Sequence, residues 1–228
     1  MVHRFDFGPE RGLVGDDLVR PEAWDALRTR TEGPFALPAS PEGLERAADE
    51  RPEIGERMRV VAEWLDGQAA RSVASYGAGV ALPEVWLRRL RPGLELTVTD
   101  YAPATVERLR ELLSGIEVVR HDLLAEAPLE ADVHLFHRID TEFTNRQWRA
   151  ILRRFARERV LVVATEVINL RRVAAELRAW PHKRHATRAG WMRTRDAFEA
   201  LWRPTHAAQH LDLGDLEGWA LSPRGTAA

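Results

Sequence analysis

The 228-residue chain contains no cysteine, which excludes thiol nucleophiles, disulfides, cysteine-ligated zinc and iron–sulfur clusters together. Lysine is almost as scarce: of 33 basic residues only Lys183 is a lysine. A Schiff base or a phosphate-loop lysine would have to use that position, and its setting, Trp180-Pro181-His182-Lys183-Arg184, suits neither. No apolar run approaches the roughly 18 residues that a membrane-spanning helix needs. The opening Met1-Val2-His3-Arg4-Phe5-Asp6 has no apolar stretch of the kind a secretion signal carries. These absences lead to the expectation of a cytoplasmic protein with no membrane partner, whose chemistry uses histidine, carboxylates, hydroxyls or a bound cofactor.

The residues that are present describe an ordinary globular chain. Hydrophobic residues make up 45% and charged residues 30%, enough apolar material for a sizeable core, and the length suits one large domain or one domain with an appendage. The net charge of −2 conceals a polarity: residues 1–70 carry 9 basic and 15 acidic side chains, and residues 171–195 carry 8 and 1. The arginine-rich segment reads as a solvated face. Nucleic acid is not an expected partner, because no aromatic–basic stacking motif accompanies it.

The first 40 residues are punctuated by Gly8-Pro9, Gly33-Pro34 and Pro38 and read as an irregular arm with one short helix over 21–28. Ser40-Pro41 has the chemistry of a helix start, a side-chain acceptor followed by a preset φ. Ile54, Met58, Val61 and Leu65 then recur at helical spacing up to Gly67. From Arg71 the pattern changes to short β-rich runs at 72–75, 94–99, 116–119, 133–136 and 160–164, with helices expected over 82–90, 104–113 and 145–157. This alternation predicts an α/β fold with a parallel sheet covered on both sides. After helices at 170–179 and from Thr194 to Trp202, the runs 205–211 and 217–221 are joined by a connection too short for a parallel crossover, so a terminal antiparallel hairpin follows.

Three predicted strand ends carry the chemistry. Ser75-Tyr76-Gly77-Ala78-Gly79 closes the first strand and opens a helix, so the glycines can turn tightly and the helix can aim its free amides at a ligand. The second strand ends in Asp100-Tyr101, where a carboxylate can take both hydroxyls of a ribose. A purely local role for Asp100, capping the helix that follows, stands beside that reading. The third strand ends in Asp122-Leu123, an acid able to accept from an adenine amino group and an apolar side chain to lie on the ring.

In these motifs and their order the sequence resembles the class I S-adenosylmethionine-dependent methyltransferases over about residues 54–224. Ser75 to Gly79 stand where that family has its glycine-rich first motif, Asp100 where it has the ribose-binding acid, and Asp122 where it has the adenine-contacting acid. His137 and Arg138 stand where its fourth motif borders the methyl donor. The resemblance implies a Rossmann-like three-layer sandwich with a mostly parallel seven-stranded sheet, order 3-2-1-4-5-7-6, and an antiparallel C-terminal strand. It implies S-adenosylmethionine as cofactor, S-adenosylhomocysteine as product, and contacts from Ser75, Tyr76, Gly77, Ala78, Gly79, Asp100, Tyr101, Asp122, Leu123, His137 and Arg138. Two positions depart from the family pattern: Ser75 replaces an acid, and Ala81 replaces a third glycine. Residues 1–66 are expected to form an arm and helical cap or lid, 67–224 the cofactor-binding core and 225–228 a tail.

The expected activity is O- or N-methylation of a small-molecule acceptor. His137 and Asp140 are the candidate catalytic residues for any proton removal, and Glu142 and Trp191 are candidates for binding substrate. The other tryptophans are expected in the core. No metal site is expected, since His182 and His185 have no carboxylate beside them to complete a ligand set. Two competing readings remain open. One is a nicotinamide-dependent oxidoreductase, whose fingerprint calls for glycine where Leu82 stands. The other is a protein that keeps the fold without methyl transfer, as a scaffold or for other chemistry, motivated by Ser75 and Ala81.

Overall fold

The computed structural model describes residues 2–7, 20–31, 33, 35–165, 167–169, 174, 187–214 and 216–225. In chain order it contains β1 (Val2–Phe7), α1 (Pro21–Arg28), α2 (Pro41–Asp49), α3 (Pro52–Gly67), β2 (Ser72–Tyr76), α4 (Leu82–Leu90), β3 (Glu95–Asp100), α5 (Pro103–Leu112), β4 (Glu117–Arg120), β5 (Val133–His137), α6 (Asn145–Arg154), β6 (Val160–Val163), β7 (Thr187–Arg193), α7 (Arg195–Trp202), β8 (His206–Asp212) and β9 (Glu217–Pro223). Seven strands form one sheet in the order β4-β3-β2-β5-β6-β9-β8. The first five of that order pair in parallel, while β9 runs antiparallel to both β6 and β8. Numbering only the strands of this sheet gives 3-2-1-4-5-7-6, with the terminal hairpin supplying the antiparallel pair.

Strand alternation explains the layers. On one face Val73, Val98, Leu135, Leu161 and Val163 pack with Met58 and Leu65 of α3, Val85 of α4 and Leu109 of α5. On the other, Ala74, Tyr76, Phe136, Val160 and Val162 pack with Trp148 and Ile151 of α6 and Phe198 and Trp202 of α7. Both faces of each central strand are therefore apolar, as a parallel sheet with helices on both sides requires. Helix starts follow their caps: the Ser40 side chain accepts from Gly43 N, Thr194 accepts from Ala197 N, and Thr144 with Gln147 makes a capping box for α6.

The N-terminal region divides between two places. Helices α2 and α3 join the helical layer over α4, with Leu44, Ala48, Ile54 and Met58 in its core and Arg89 of α4 paired with Glu45 and Asp49 of α2. Helix α1 lies across the strand ends, where Trp24 and Leu27 pack on Ala102. Asp25 of α1 accepts from the backbone of Ala104 and Thr105 and from the Thr105 hydroxyl, so it caps α5 from outside that helix.

The sequence reading differs from the structure at the chain start. Residues 2–7 form a strand, not an irregular arm, and β1 pairs antiparallel with β7 in a separate two-stranded sheet, Val2 opposite Arg193 and Phe7 opposite Thr187. Its partner is some 185 residues away, and no local pattern announces it. Trp191, a candidate for binding substrate, lies within β7, a strand that the sequence pattern does not announce. The helix expected over 170–179 and the turn with His182, Lys183 and His185 lie outside the described residues.

Candidate active site

The ends of β2, β3, β4 and β5 and the helix α1 above them enclose two cavities, of about 210 and about 140 Å³, that share Gly77, Ile139 and Glu142. The larger is walled by the turn 77–81, the start of α4, residues 137–139, Thr165 and the N-terminal side chains Trp24, Arg28, Phe35, Arg51 and Ile54. The smaller is walled by Pro21, Tyr101, residues 120–124 and Phe143.

The turn after β2 is built from left-handed backbone. Gly77 has φ +68° and Gly79 φ +61°, and a Cβ on Gly77 would sit 2.6 Å from Ile139 Cγ2 while one on Gly79 would collide with the Arg28 guanidinium. Backbone conformation favours glycine at both positions, and the close approach of Ile139 adds to that preference at Gly77. Ala81, the N-cap of α4, has φ 61° and ψ 26°, the same left-handed region, and it offers no side-chain cap to the helix amides.

Asp100 turns inward. Its Oδ2 accepts from Gly79 N at 3.1 Å and its Oδ1 from Ala102 N at 3.0 Å, so the carboxylate braces the glycine turn and the entry to α5 at once. Burial pushes its pKa up, and the Ala102 amide and the Arg28 charge pull against that shift. Tyr101, its own pKa raised by burial, lines the smaller cavity with Asp122 and Leu123. Asp122 Oδ1 accepts from Leu124 N at 2.7 Å.

Two expected cofactor contacts point elsewhere. The Ser75 hydroxyl is fully buried and donates to Glu84 Oε1 at 2.5 Å, and the Tyr76 ring lies on the opposite face of the sheet, its hydroxyl against His134 Nδ1 at 3.2 Å. Neither side chain lines the cavities, whereas Gly77, Ala78, Gly79, His137 and Arg138 do.

The segment after β5 separates its candidates. His137 faces the larger cavity with its Nε2 unpartnered among the described residues, and burial, aided by the Arg138 and Arg57 charges, pushes its pKa down to about 3. It is neutral at physiological pH and a weak base. Asp140 is buried and turned to Thr165, accepting from its amide at 2.6 Å and its hydroxyl at 2.7 Å; it orients a cavity residue without lining the cavity. Glu142 lines both cavities, and burial together with the Asp100 charge holds its pKa well above the usual carboxylate range, against the pull of Arg28. Trp191 donates its backbone amide to Thr141 O at 2.7 Å, and its ring lines neither cavity.

Sequence reasoning missed Arg28, Trp24 and Phe35. Arg28 lies over the Trp24 ring at 5.0 Å and the Phe35 ring at 5.5 Å. The i,i+4 spacing of Trp24 and Arg28 was a legible sign of a cation–aromatic pair, but nothing local placed that pair over the glycine turn. Glu84 was missed too, and the serine at a position where the family resemblance calls for an acid was its only signal.

A seven-stranded sheet of this order, with a glycine turn after its first strand and acids ending its second and third, is the class I S-adenosylmethionine-dependent methyltransferase fold, and the chain has that fold. No protein-family model matches the sequence, and no curated protein is significantly similar to it; the likeness is one of structure. Human N-acetylserotonin methyltransferase in complex with S-adenosylmethionine superposes with TM-score 0.62 at 19% identity, over 80% of this chain and 55% of that one. The mitomycin 7-O-methyltransferase MmcR gives 0.60 at 20% identity, over 91% and 73%, and PigF with S-adenosylhomocysteine 0.60 at 16%, over 91% and 68%. The chain spans between about half and three quarters of the length of these enzymes. No helix among the described residues is long and apolar enough to cross a membrane.

Proposed function

We propose that the protein is a cytoplasmic S-adenosylmethionine-dependent methyltransferase acting on a small-molecule acceptor, with transfer to oxygen as the first expectation. The observation that carries this reading is the pair of adjacent cavities at the ends of four adjacent strands, Gly77 and Gly79 lining one and Tyr101, Asp122 and Leu123 the other, with Asp100 behind the glycine turn, the order a nucleoside followed by an amino-acid tail would need. The names of the structural neighbours, which include methyltransferases of N-acetylserotonin and mitomycin, support a small acceptor and oxygen. Nucleic acid stays outside the expected partners.

The residues fit such a cofactor. Asp122, Leu123 and Tyr101 would hold the adenine end, Asp100 the ribose, and the glycine turn with the start of α4 the amino-acid tail. When bound, the cofactor would supply an electrophilic methyl group for in-line attack by the acceptor, with S-adenosylhomocysteine as the leaving group. The chain's own contribution is alignment and exclusion of water: α1 covers the strand ends as a lid, Phe143 and Ile139 supply apolar walls, and Thr165 is fixed by Asp140. His137, neutral and weakly basic, can accept a hydrogen bond from an acceptor but is poorly matched to removing its proton at neutral pH. Burial and the Asp100 charge disfavour the ionised form of Glu142, and a cation brought beside it would favour that form.

Calorimetry with S-adenosylmethionine, S-adenosylhomocysteine and NAD tests the reading. Both adenosyl ligands are expected to bind and NAD is not. Asp100→Ala should lower S-adenosylhomocysteine affinity about ten- to a hundred-fold, the loss of charge-assisted hydrogen bonds. Binding of NAD alone would favour the oxidoreductase, and a folded Asp100→Ala variant with parental affinity would overturn the site. Tight binding without turnover on any phenolic or amine acceptor would favour the scaffold.

A further inference from the structure

Helix α6 buries Trp148, Ile151 and Leu152 against the sheet and turns its opposite face to solvent. Arg146, Arg149 and Arg153 are exposed on that face at spacings of three and four residues, along about 10 Å of helix. Exposed Arg157 and Arg159 continue the run past the end of the helix. None of the five forms an ion pair among the described residues, whereas arginines on α3, α4 and α5 do: Arg59 with Glu56, Arg89 with Glu45 and Arg110 with Glu107. From Asn145 to Arg159 the chain holds six arginines and a single acid, Glu158, in a protein whose net charge is −2. Helix stability does not ask for this arrangement. Like charges three and four residues apart disfavour a helix, and a cation in the first turn, as at Arg146, opposes the helix dipole.

A second feature adjoins the stripe. Leu124, the only exposed large hydrophobic side chain among the described residues, follows Leu123, whose carbonyl accepts from Arg154 of α6. An apolar anchor rimmed by arginines is the composition of a protein interface. A nucleic-acid track adds aromatic rings on which bases stack, and Phe143, Trp148 and Phe155 are all buried. A membrane-surface helix inserts its apolar face among lipids, and that of α6 is already against the sheet.

We propose that the solvent face of α6, with Leu124 at its edge, is a docking surface for a partner protein that presents an acidic helix. Carboxylates at the same three- and four-residue spacing lie opposite the arginines, and each guanidinium fork takes a carboxylate through two parallel hydrogen bonds. An apolar side chain of the partner covers Leu124. Exposed charge pairs of this kind hold weakly one by one, and together they speed the encounter and make it sensitive to salt.

The test uses the full chain and a labelled helical peptide whose glutamates recur at three- and four-residue spacing on one face beside a leucine. Its comparators are a peptide of the same composition with the glutamates spread around the helix, a single-stranded oligothymidylate, and vesicles containing phosphatidylserine. In fluorescence anisotropy the striped peptide should bind more tightly than its rearranged form and weaken steeply as salt rises. Arg149→Glu combined with Arg153→Glu should lower that affinity about tenfold or more, Leu124→Ser about threefold, and Arg59→Glu, on the far side of the sheet, less than about twofold. Arg146→Glu with Arg157→Glu is a second pair that should repeat the loss, and unchanged thermal unfolding shows that each variant is folded. Equal binding of the two peptides, or an equal loss in Arg59→Glu, reduces the effect to general charge attraction and overturns the proposal. Oligothymidylate or vesicles that bind more tightly than the striped peptide, and lose that binding in the same α6 variants, make the stripe a nucleic-acid or membrane surface and overturn it too. A striped peptide that does not bind the parent overturns it outright.

Discussion

Two residues that depart from the family pattern show how single positions are compensated. At Ala81 the left-handed backbone costs about 1–2 kcal/mol for a residue with a Cβ. Glycine would relieve that strain but loses about 0.5–1 kcal/mol to chain entropy, and removing a fully buried methyl forfeits about 0.8 kcal/mol more. These effects nearly cancel, which is why alanine is tolerated there, and Ala81→Gly is expected to unfold in urea within about 1 kcal/mol of the parent. A gain of several kcal/mol would show that the turn holds strain beyond this one torsion. At Ser75 the missing acid is answered from α4. Glu84 is fully buried, its Oε1 accepts the Ser75 hydroxyl, its Oε2 has no partner among the described residues, and burial raises its pKa to about 7. A raised carboxyl stabilises the fold below its unfolded pKa near 4.5 and gives that stability up as pH rises toward 7. Glu84→Gln should therefore be the more stable protein at pH 8, by on the order of 3 kcal/mol, with the difference vanishing below about pH 4.5. Equal stability of the two proteins at pH 8 would mean that the carboxylate is solvated in the folded state.

At the scale of elements, the contact that decides the site is between α1 and α5. Asp25 supplies the cap that the Ala102 N-cap of α5 lacks, accepting from the amides of Ala104 and Thr105 and from the Thr105 hydroxyl. Asp25→Ala removes these bonds and exposes α5 amides, at a cost of about 1–2 kcal/mol. The expected signature is faster hydrogen exchange across 21–28 with the sheet unchanged, together with weaker S-adenosylhomocysteine binding, because Trp24 and Arg28 ride on the same helix. Slower exchange in α3 or the sheet would not follow from this contact, and parental exchange in α1 would mean that the packing of Trp24 and Leu27 on Ala102 holds the lid alone. The elements themselves were largely legible from sequence. Helices α1 and α4 and the caps at Ser40 and Thr194 match their periodicity and start signals, because those signals act within a turn or two of chain. Strand β1 was not legible, since six residues pairing with β7 across most of the chain leave no local mark.

For the whole molecule, the parallel sheet and the terminal hairpin follow from features that short stretches of chain contain, while the strand order was what the family resemblance implied. Apolar runs on both faces called for a covered parallel sheet and the connection after β8 for a hairpin, but the place of β9, antiparallel beside β6, is set by tertiary packing. The same local reading located Gly77, Gly79, Asp100 and Asp122 at strand ends, because a strand's end and a helix's start are marked by the residues that make them. What the sequence left open was where side chains from distant segments point. Asp140 stands one turn from His137 in the chain, yet one is tied to Thr165 and the other faces the cavity. Arg28 and Phe35, in the stretch read as an arm, close over a turn some fifty residues away. Local propensity and periodicity fix backbone conformation over a few residues, so the sequence by itself determined the elements of the main sheet's layers, their alternation and the glycine turn, but not the β1–β7 pair. The charge balance of the cleft, the burial that sets its pKa values and the placing of α1 across the strand ends depend on packing between elements, and only the tertiary structure decided those.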